Sequence, residues 1–433
     1  MPDSPKLFVH DPRYERWRWQ IFAVTWLAYA GYYLTRKSFA VAKIGLKEGT
    51  PIGLTDQQMA WIDGAFLVAY AVGQFMWGVA GDRFGPRRVV LIGMLCSVLA
   101  AVAMGASSVV MAFGVLFFIQ GLCQSTGWAP LAKNLGNFFS RRERGVIMGF
   151  WCTNYAVGGL VASAYAGYVG QQFGWRYAFF IPAATLVGVW FVFLVLQRNK
   201  PEDLGLPSVE AYHQQQPDVP LPGEAPEAES DASWNVIRDV LSNRMVILLA
   251  AIYFCLKPAR YAILFWGPKY INDKLGTGMA ASGFLSAMFE LAGPFSVIAA
   301  GFVSDKIFGS RRMPVSVLCL ASLAVVLYVL DKLPATGWML GGCLFLIGIL
   351  TYAPDSLVSG TAAVDFGTKR GASTASGLVN GAGSVGAIIG GTLPGFVQQQ
   401  WGWQGVFTLL AAAVLLAAVL LLPKWNALPV ESC

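Results

Sequence analysis

The sequence predicts an all-α membrane protein of twelve transmembrane helices. Three observations carry that expectation: a deficit of charge, a dozen apolar runs of spanning length, and a pattern repeated at near-constant spacing in the two halves. Charged residues make up 13% of the 433-residue chain and hydrophobic ones 56%, with mean hydropathy +0.55. An ordinary soluble domain carries about 25% charged residues. This chain has too few to solvate the surface of a water-soluble protein of its length. The 48 glycines, 15 tryptophans and 28 phenylalanines fit the same reading, since small residues let membrane helices approach closely and aromatic ones anchor at the interfaces.

A membrane helix needs about 20 mostly apolar residues. Twelve runs meet that need, at 19–41, 59–80, 89–106, 109–130, 145–169, 177–196, 245–270, 279–302, 314–330, 337–358, 372–396 and 405–422. Residues 1–18 are polar and lack an apolar h-region, so no cleaved signal peptide is expected. The longest polar stretch, 198–243, is rich in Pro, Glu and Gln and reads as a linker. The expected organisation is a six-helix bundle over 1–197, a cytoplasmic linker over 198–243 and a second six-helix bundle over 244–433.

Orientation follows from the basic residues. With the N-terminus cytoplasmic, the inside segments hold twenty of the 31 Lys and Arg, and the opposite side holds six, Lys43, Lys47, Arg176, Lys269, Lys274 and Lys332. Both termini are therefore expected in the cytoplasm. The same bias accounts for the net charge of +7 and pI near 9.0 without a nucleic-acid partner. The seven cysteines are scattered without CxxC or Cys/His spacing, and there are two histidines, so free thiols and no metal or cofactor are expected.

The halves repeat. Gly78-x3-Asp82-Arg83-x-Gly85-x-Arg87-Arg88 after the second run matches Gly301-x3-Asp305-Lys306-x2-Gly309-x-Arg311-Arg312 after the eighth, an offset of 223 at the aspartates. Arg144-Gly145 matches Arg370-Gly371 and Asn154 matches Asn380 at 226, Gly174-Trp175 matches Gly402-Trp403 at 228, and Arg36 matches Arg260 at 224.

The doubled Gly-x3-Asp-Arg/Lys motif resembles the signature of the major facilitator superfamily. That resemblance implies two pseudo-symmetric six-helix bundles with a substrate site between them near mid-membrane. Further stretches are similar to the organophosphate:phosphate antiporter family: Tyr32-Tyr33-Leu34-Thr35-Arg36-Lys37, Gln124-Ser-Thr-Gly127-Trp128-Ala-Pro130, Arg142-Glu143-Arg144-Gly145, Leu204-Gly205-Leu206-Pro207 and Arg260-Tyr261-Ala-Ile-Leu-Phe-Trp266. The family implies a small phosphorylated metabolite and inorganic phosphate as partners, a monomer in a bacterial inner membrane, and transport rather than enzymatic turnover.

Charged residues inside the spans are the site candidates. A cation at the bilayer centre costs about 2.5–3.5 kcal/mol on insertion scales, and Arg36 and Arg260 lie about 17 and 15 residues into their spans. If symmetry relates the halves, both face one cavity and repel unless an anion lies between them. Phosphate suits that place, because each guanidinium fork can donate two charge-assisted hydrogen bonds to it. The resemblance assigns this pair the same role. The alternative is that each arginine is neutralised by its own buried carboxylate or snorkels to an interface.

Lys37 and Glu290 are expected to pair, since the family places a Lys–Glu contact there, either as a gate or as a permanent bridge. Lys257, three residues before Arg260, shares its helical face. It departs from the aromatic of glycerol-3-phosphate antiporters, and it either engages a second substrate anion or pairs with Asp355 or Glu290. Tyr33 joins the expected phosphate site, as does Tyr155, which stands where those antiporters carry a membrane histidine. Asn154, Gln124, Asn380, Asp63, Lys133 and Asp355 either line the path or hydrogen-bond between helices. The clusters Asp82, Arg83, Arg87, Arg88 and Asp305, Lys306, Arg311, Arg312 read as coupling elements at helix ends. A membrane sensor of a sugar phosphate acting through a partner kinase is the rival reading, because such receptors within the family keep the same arginines. No GxxxxGK[ST] stretch is present, so no ATP site is expected.

Overall fold

The computed structural model describes residues 11–47, 50–139, 147–148, 150–212, 241–309, 311–362 and 372–427. Among them the long elements are helices: α1 (Pro12–Leu46), α2 (Asp56–Phe84), α3 (Pro86–Ala106), α4 (Val110–Gln124), α5 (Trp128–Gly136), α6 (Thr153–Phe173), α7 (Tyr177–Leu196), α8 (Arg244–Leu275), α9 (Gly278–Phe302), α10 (Arg312–Leu330), α11 (Gly337–Ser356) and α12 (Ala372–Leu421). Seven of the helical stretches are long and apolar enough to cross a membrane on those grounds alone. The others are less apolar because of charged residues in α1 and α2, the break between α4 and α5, and the Gly, Ala, Asn, Tyr and Gln content of α6.

Local chemistry sets the ends. Asp11 caps α1 by accepting from the Arg13 N–H at 2.8 Å, with Pro12 at the first helical position. Thr55 and Gln58 form a reciprocal capping box on α2. Asn243 caps α8 through the N–H groups of Met245 and Val246. Gly85, at φ 82°, turns the chain between α2 and α3. Gly402, at φ 62°, reverses it inside α12, which therefore holds two spans on either side of that residue.

Several expected bounds move. The first span runs on to Leu46 rather than ending near 41, because Lys43 is neutralised inside the protein and need not leave the apolar layer. The fourth is split by a turn at 125–127 into α4 and α5. Most of the expected linker, 213–240, lies outside the described residues. Its start is a turn of 3₁₀-helix at Pro201–Leu204 and a helical turn at Val209–Tyr212. Tyr212 stacks on Tyr14 at the start of α1, centroids 3.8 Å apart.

The apolar cores tell how the halves meet. Near the termini each half has its own: Ile21, Val90, Met94, Leu135 and Phe193 in the first six spans, and Ala300, Val315, Ala353 and Leu357 in the last six. A larger core fills the last six spans from Val246, Met313 and Leu421 at the terminus side and, at the opposite end, runs into the first six, joining Phe39, Leu46, Met59, Phe66 and Phe117 to Phe265, Trp266, Tyr270 and Phe289. Small residues bring the helices together there. A Cβ on Gly283 of α9 would meet the Ser163 carbonyl oxygen of α6 at 2.5 Å, and one on Gly395 of α12 would run into the Asp56 carbonyl oxygen of α2. The protein is sealed at the end remote from its termini.

This seal depends on glycine at 283, where the obstacle to a side chain is backbone. Gly283→Leu is expected to wedge α6 from α9 and loosen the far end. A cysteine at Ala60, which is fully buried there, should then become several-fold more reactive toward a membrane-impermeant maleimide, in a background lacking the seven native cysteines. Unchanged labelling would mean that the seal does not rest on this contact.

Candidate functional site

On α1, Tyr29, Tyr33 and Arg36 follow at i, i+4 and i+7 and so share one face. The Arg36 guanidinium carbon lies 4.5 Å from the Tyr33 ring centroid, 4.9 Å from that of Tyr70 and 5.7 Å from that of Phe66. Its Nε donates to Gln124 Oε1 at 2.8 Å. Gln124 is fixed in turn, its Nε2 donating to Thr35 Oγ1 at 3.0 Å and Ser97 Oγ at 3.1 Å, so α1, α3 and α4 together aim the arginine. Arg36 is 7% exposed, has no carboxylate partner among the described residues, and keeps its Nη2 without a hydrogen-bond acceptor. Cation–π contacts contribute about 0.5–2 kcal/mol each, whereas burying an ion costs several. Arg36 is therefore held in position with its charge only partly compensated.

Arg260 on α8 is treated differently. Its Nη1 donates to Asp355 Oδ2 on α11 at 2.8 Å. The other oxygen of Asp355 lies 3.2 Å from Lys257 Nζ. The Arg260 guanidinium also faces the rings of Tyr352, at 4.7 Å, and Tyr155, at 5.5 Å. Those two rings, one from each half, stack on each other with centroids 6.2 Å apart. Tyr33 and Tyr261 each lie within electrostatic reach of both guanidiniums. The structure thus brings Arg36, Arg260, Tyr33, Tyr155 and Lys257 into one neighbourhood, but without the symmetry expected of the two arginines. Arg260 has a buried carboxylate, shared with Lys257, and Arg36 has none among the described residues. Of the alternatives left open for Lys257, the ion pair with Asp355 is the one seen.

Two further lysines of α1 tie the halves together. Lys37 Nζ lies 2.8 Å from Glu290 Oε1 on α9 and donates to the Leu264 carbonyl on α8 at 3.1 Å. Pro268 has no N–H, so that carbonyl lacks its helical donor and is free to accept. Glu290 packs where Gly159 leaves room on α6. Lys43, one and a half turns on, pairs with Asp63 of α2, both side chains wholly buried. It also donates to the Phe265 carbonyl at 3.1 Å and lies 3.9 Å from the Trp266 ring. The sequence places Lys43 and Lys269 in far-side loops. The structure buries both, Lys269 against Asp56 at 3.1 Å and Asp273 at 2.8 Å.

The remaining candidates sit apart. Asn154 is fully buried with neither side-chain polar atom hydrogen-bonded, and Asn380 is exposed. At the terminus-side ends, Arg87 Nη2 donates to the Leu194 carbonyl at 2.5 Å and its N–H to Asn199 Oδ1 at 2.9 Å. Arg311 donates to Asn426 Oδ1 and Arg312 to Ser304 Oγ, each at 3.1 Å. Arg83, Arg88 and Lys306 are exposed. The side chains of Asp82 and Asp305 lie outside the described residues, as do Glu143, Arg144, Lys369 and Arg370. Sequence reasoning missed Tyr70, Phe66 and Tyr352 around the arginines. Only Tyr352 carried a local signal, three residues before Asp355.

A helical pair of halves around a buried cationic centre defines a class. Residues 25–375 match the family model of the Major Facilitator Superfamily, and the chain belongs to that superfamily. Within it the chain belongs to the organophosphate:phosphate antiporter family. It is 30% identical to the "Probable hexose phosphate transport protein" of Chlamydia trachomatis, over 96% of this chain and 92% of that one. It is also 30% identical to the "Glycerol-3-phosphate transporter" of Bacillus subtilis, over 96% and 94%. The "Membrane sensor protein UhpC" of Escherichia coli matches at 30% too, over 96% and 94%. A solved bacterial homologue of the lysosomal transporter Spinster shares the fold, with TM-score 0.73 at 14% identity and 96% of each chain covered. The chain is a multi-pass membrane protein.

The buried Lys43–Asp63 pair generates a stability prediction. Removing one partner of such a pair costs about 3–5 kcal/mol, whereas replacing both with apolar residues is close to neutral. Lys43→Met and Asp63→Leu should each lower the thermal unfolding midpoint in detergent. The double variant should be more stable than either single one. Additive losses would show that the two charges are not coupled.

Proposed function

We propose that this chain is a secondary active transporter that exchanges a small organophosphate for inorganic phosphate by alternating access. The observation that carries the reading is Arg36, a deeply buried guanidinium with a hydrogen-bonding nitrogen left open and, among the described residues, no carboxylate to neutralise it. A tetrahedral oxyanion supplies both the charge and the acceptors that this residue lacks. Relatives named for hexose phosphate and glycerol-3-phosphate transport support the organic half of the exchange.

In this mechanism phosphate enters between the halves from the terminus side, reaches Arg36 and Arg260, and offsets charge that otherwise opposes closure. The bundles 1–197 and 244–433 then rock about the site, which requires the Lys37–Glu290 and Lys269–Asp56 contacts to part as the far end opens. Asp82, Arg83, Arg87 and Arg88, with their counterparts Asp305, Lys306, Arg311 and Arg312, act in coupling at the terminus-side helix ends. Gln124 orients Arg36, and Tyr33, Tyr155, Asn154 and Asn380 complete the path. The chain acts as a monomer in a bacterial inner membrane, with its terminus-side helix ends facing the cytoplasm.

A sensor role is the second reading, favoured by the match to UhpC at the same 30% identity as the transporters. Turnover separates the two: a carrier exchanges many phosphates per protein in proteoliposomes, and a receptor binds without exchange.

Arginine chemistry gives the sharper test. Charged hydrogen bonds contribute about 1.5–3 kcal/mol each, equivalent to a loss of about ten- to a hundredfold in affinity when one is removed. Arg36→Lys keeps the charge and loses the planar fork, so its apparent affinity for phosphate in self-exchange should fall by that much. Arg260→Lys should also fall, and Arg→Ala at either position further still. Near-wild-type exchange by Arg36→Ala would remove that residue from the site. Orientation is tested separately. Reporters fused after Arg88, within 198–243 and at the C-terminus should all be cytoplasmic, and a periplasmic signal from the linker would overturn the proposed topology.

A further inference from the structure

We infer that Asp355 is a resident counter-anion which substrate phosphate displaces from Arg260, and that Lys257 is the residue that receives it. The inference rests on the phosphate site proposed above and goes beyond it, since it gives Lys257 a positioning role through Asp355 in place of contact with substrate.

The geometry is that of a carboxylate shared between two cations. One oxygen of Asp355 is hydrogen-bonded to Arg260 Nη1 at 2.8 Å, and the other lies 3.2 Å from Lys257 Nζ. The three side chains are only 11–13% exposed. Lys257 and Arg260 stand one helical turn apart on α8 while Asp355 comes from α11, so a small rotation of the carboxylate exchanges one partner for the other. Without substrate, Arg260 has its charge met by Asp355 through a hydrogen bond from Nη1, and its buried Nε has no acceptor among the described residues. A phosphate that approaches Arg260 therefore competes with a carboxylate already in place.

Releasing that carboxylate into an apolar centre would leave a buried charge unpaired, which is strongly unfavourable. Lys257 removes the obstacle. It already touches the second oxygen, and its ammonium is steadied by the rings of Tyr253 at 4.6 Å and Tyr261 at 5.7 Å. Asp355 can pass to it without losing a cationic partner. Phosphate then takes Arg260 while Asp355 stays paired, and the site returns to its starting arrangement when phosphate leaves. Glu290 is committed to Lys37 at 2.8 Å, and among the described residues Arg36 holds no carboxylate, so the exchange of partners lies within the last six spans.

The test measures equilibrium binding of inorganic phosphate to purified protein in lipid nanodiscs, alongside phosphate self-exchange in proteoliposomes. Lys257→Gln leaves Asp355 to Arg260 alone, and phosphate binding should weaken by about tenfold or more, a change typical of lost buried charge partners. Lys257→Arg should restore it. Asp355→Asn frees Arg260, so binding should hold or tighten while the exchange rate falls, because the empty site is no longer neutralised. The double variant Lys257→Gln/Asp355→Asn should bind phosphate more tightly than Lys257→Gln. Wild-type binding by monodisperse Lys257→Gln would overturn the inference, as would weaker binding by Asp355→Asn or additive losses in the double variant. Arg260→Ala in the same assay separates this from the underlying reading. If Arg260→Ala binds phosphate like the wild type, the proposed site itself fails and the inference with it. If it does not, but Lys257→Gln is unaffected, the exchange of partners alone is wrong.

Discussion

The cost of an unpaired charge in an apolar interior organises this molecule. In water an ion is solvated wherever it points, but between these helices it must find a partner or carry a penalty of several kcal/mol. Lys37, Lys43, Lys257, Arg260 and Lys269 each have a carboxylate within 3.2 Å or closer. Arg36 has aromatic faces and a glutamine instead. The helices that supply these partners are therefore fixed relative to one another by electrostatics as well as by packing. Asp63 binds α2 to α1, Asp355 binds α11 to α8, and Glu290 and Asp56 bind one half to the other.

The seal at the far end joins these charges to a backbone defect. Pro268 deprives α8 of one hydrogen bond and exposes a carbonyl in a layer where no water is at hand to satisfy it. Lys37 fills that vacancy from the other half while its charge goes to Glu290. Lys43 donates to the next carbonyl, that of Phe265, and takes Asp63 from its own half. Each lysine thus serves a charge and a carbonyl together, and only the closed far end presents both. Close glycine contacts between α6 and α9 and between α2 and α12 bring the backbones near enough for these reaches. Charge, helix break and small residues specify the same closed arrangement, which is the consistency expected of an evolved structural state.

Much of the fold was legible in the sequence because membrane helices are read from length and hydropathy, and duplication doubles the signal. The breaks were harder. The turn at 125–127 contains no proline of its own, Pro130 standing three residues beyond it, and the chain reversal at Gly402 was visible mainly through the Gly-Trp repeat. Arg36, Arg260, Lys37 and Glu290 stood out as charges where charge is costly. Lys43 and Lys269 did not, since a lysine near the end of an apolar run has the same sequence appearance whether it snorkels to water or pairs inside. The partners decide, and they lie on other helices. For the same reason the Tyr70 and Phe66 faces around Arg36 were hidden, because an aromatic residue in an apolar span has no local mark that separates packing from cation–π contact.

The inequality of the two arginines follows from the same rule and bears on the proposed exchange. A symmetric pair of bare guanidiniums would bind phosphate tightly, but the empty carrier would hold two uncompensated charges at its centre. A fully neutralised pair would close readily when empty and would leak its gradient without exchanging anything. With one Asp355 carboxylate shared between Arg260 and Lys257 and no carboxylate on Arg36 among the described residues, the empty centre keeps an excess of positive charge. That is enough to disfavour an empty occluded state, and it leaves the second arginine available to a ligand that can displace its carboxylate. A phosphate has the charge and the oxygens to satisfy Arg36 and to compete for Arg260. A neutral sugar has neither, so in the proposed mechanism the charge arrangement would select for the phosphoryl end of a substrate before any contact with its organic part.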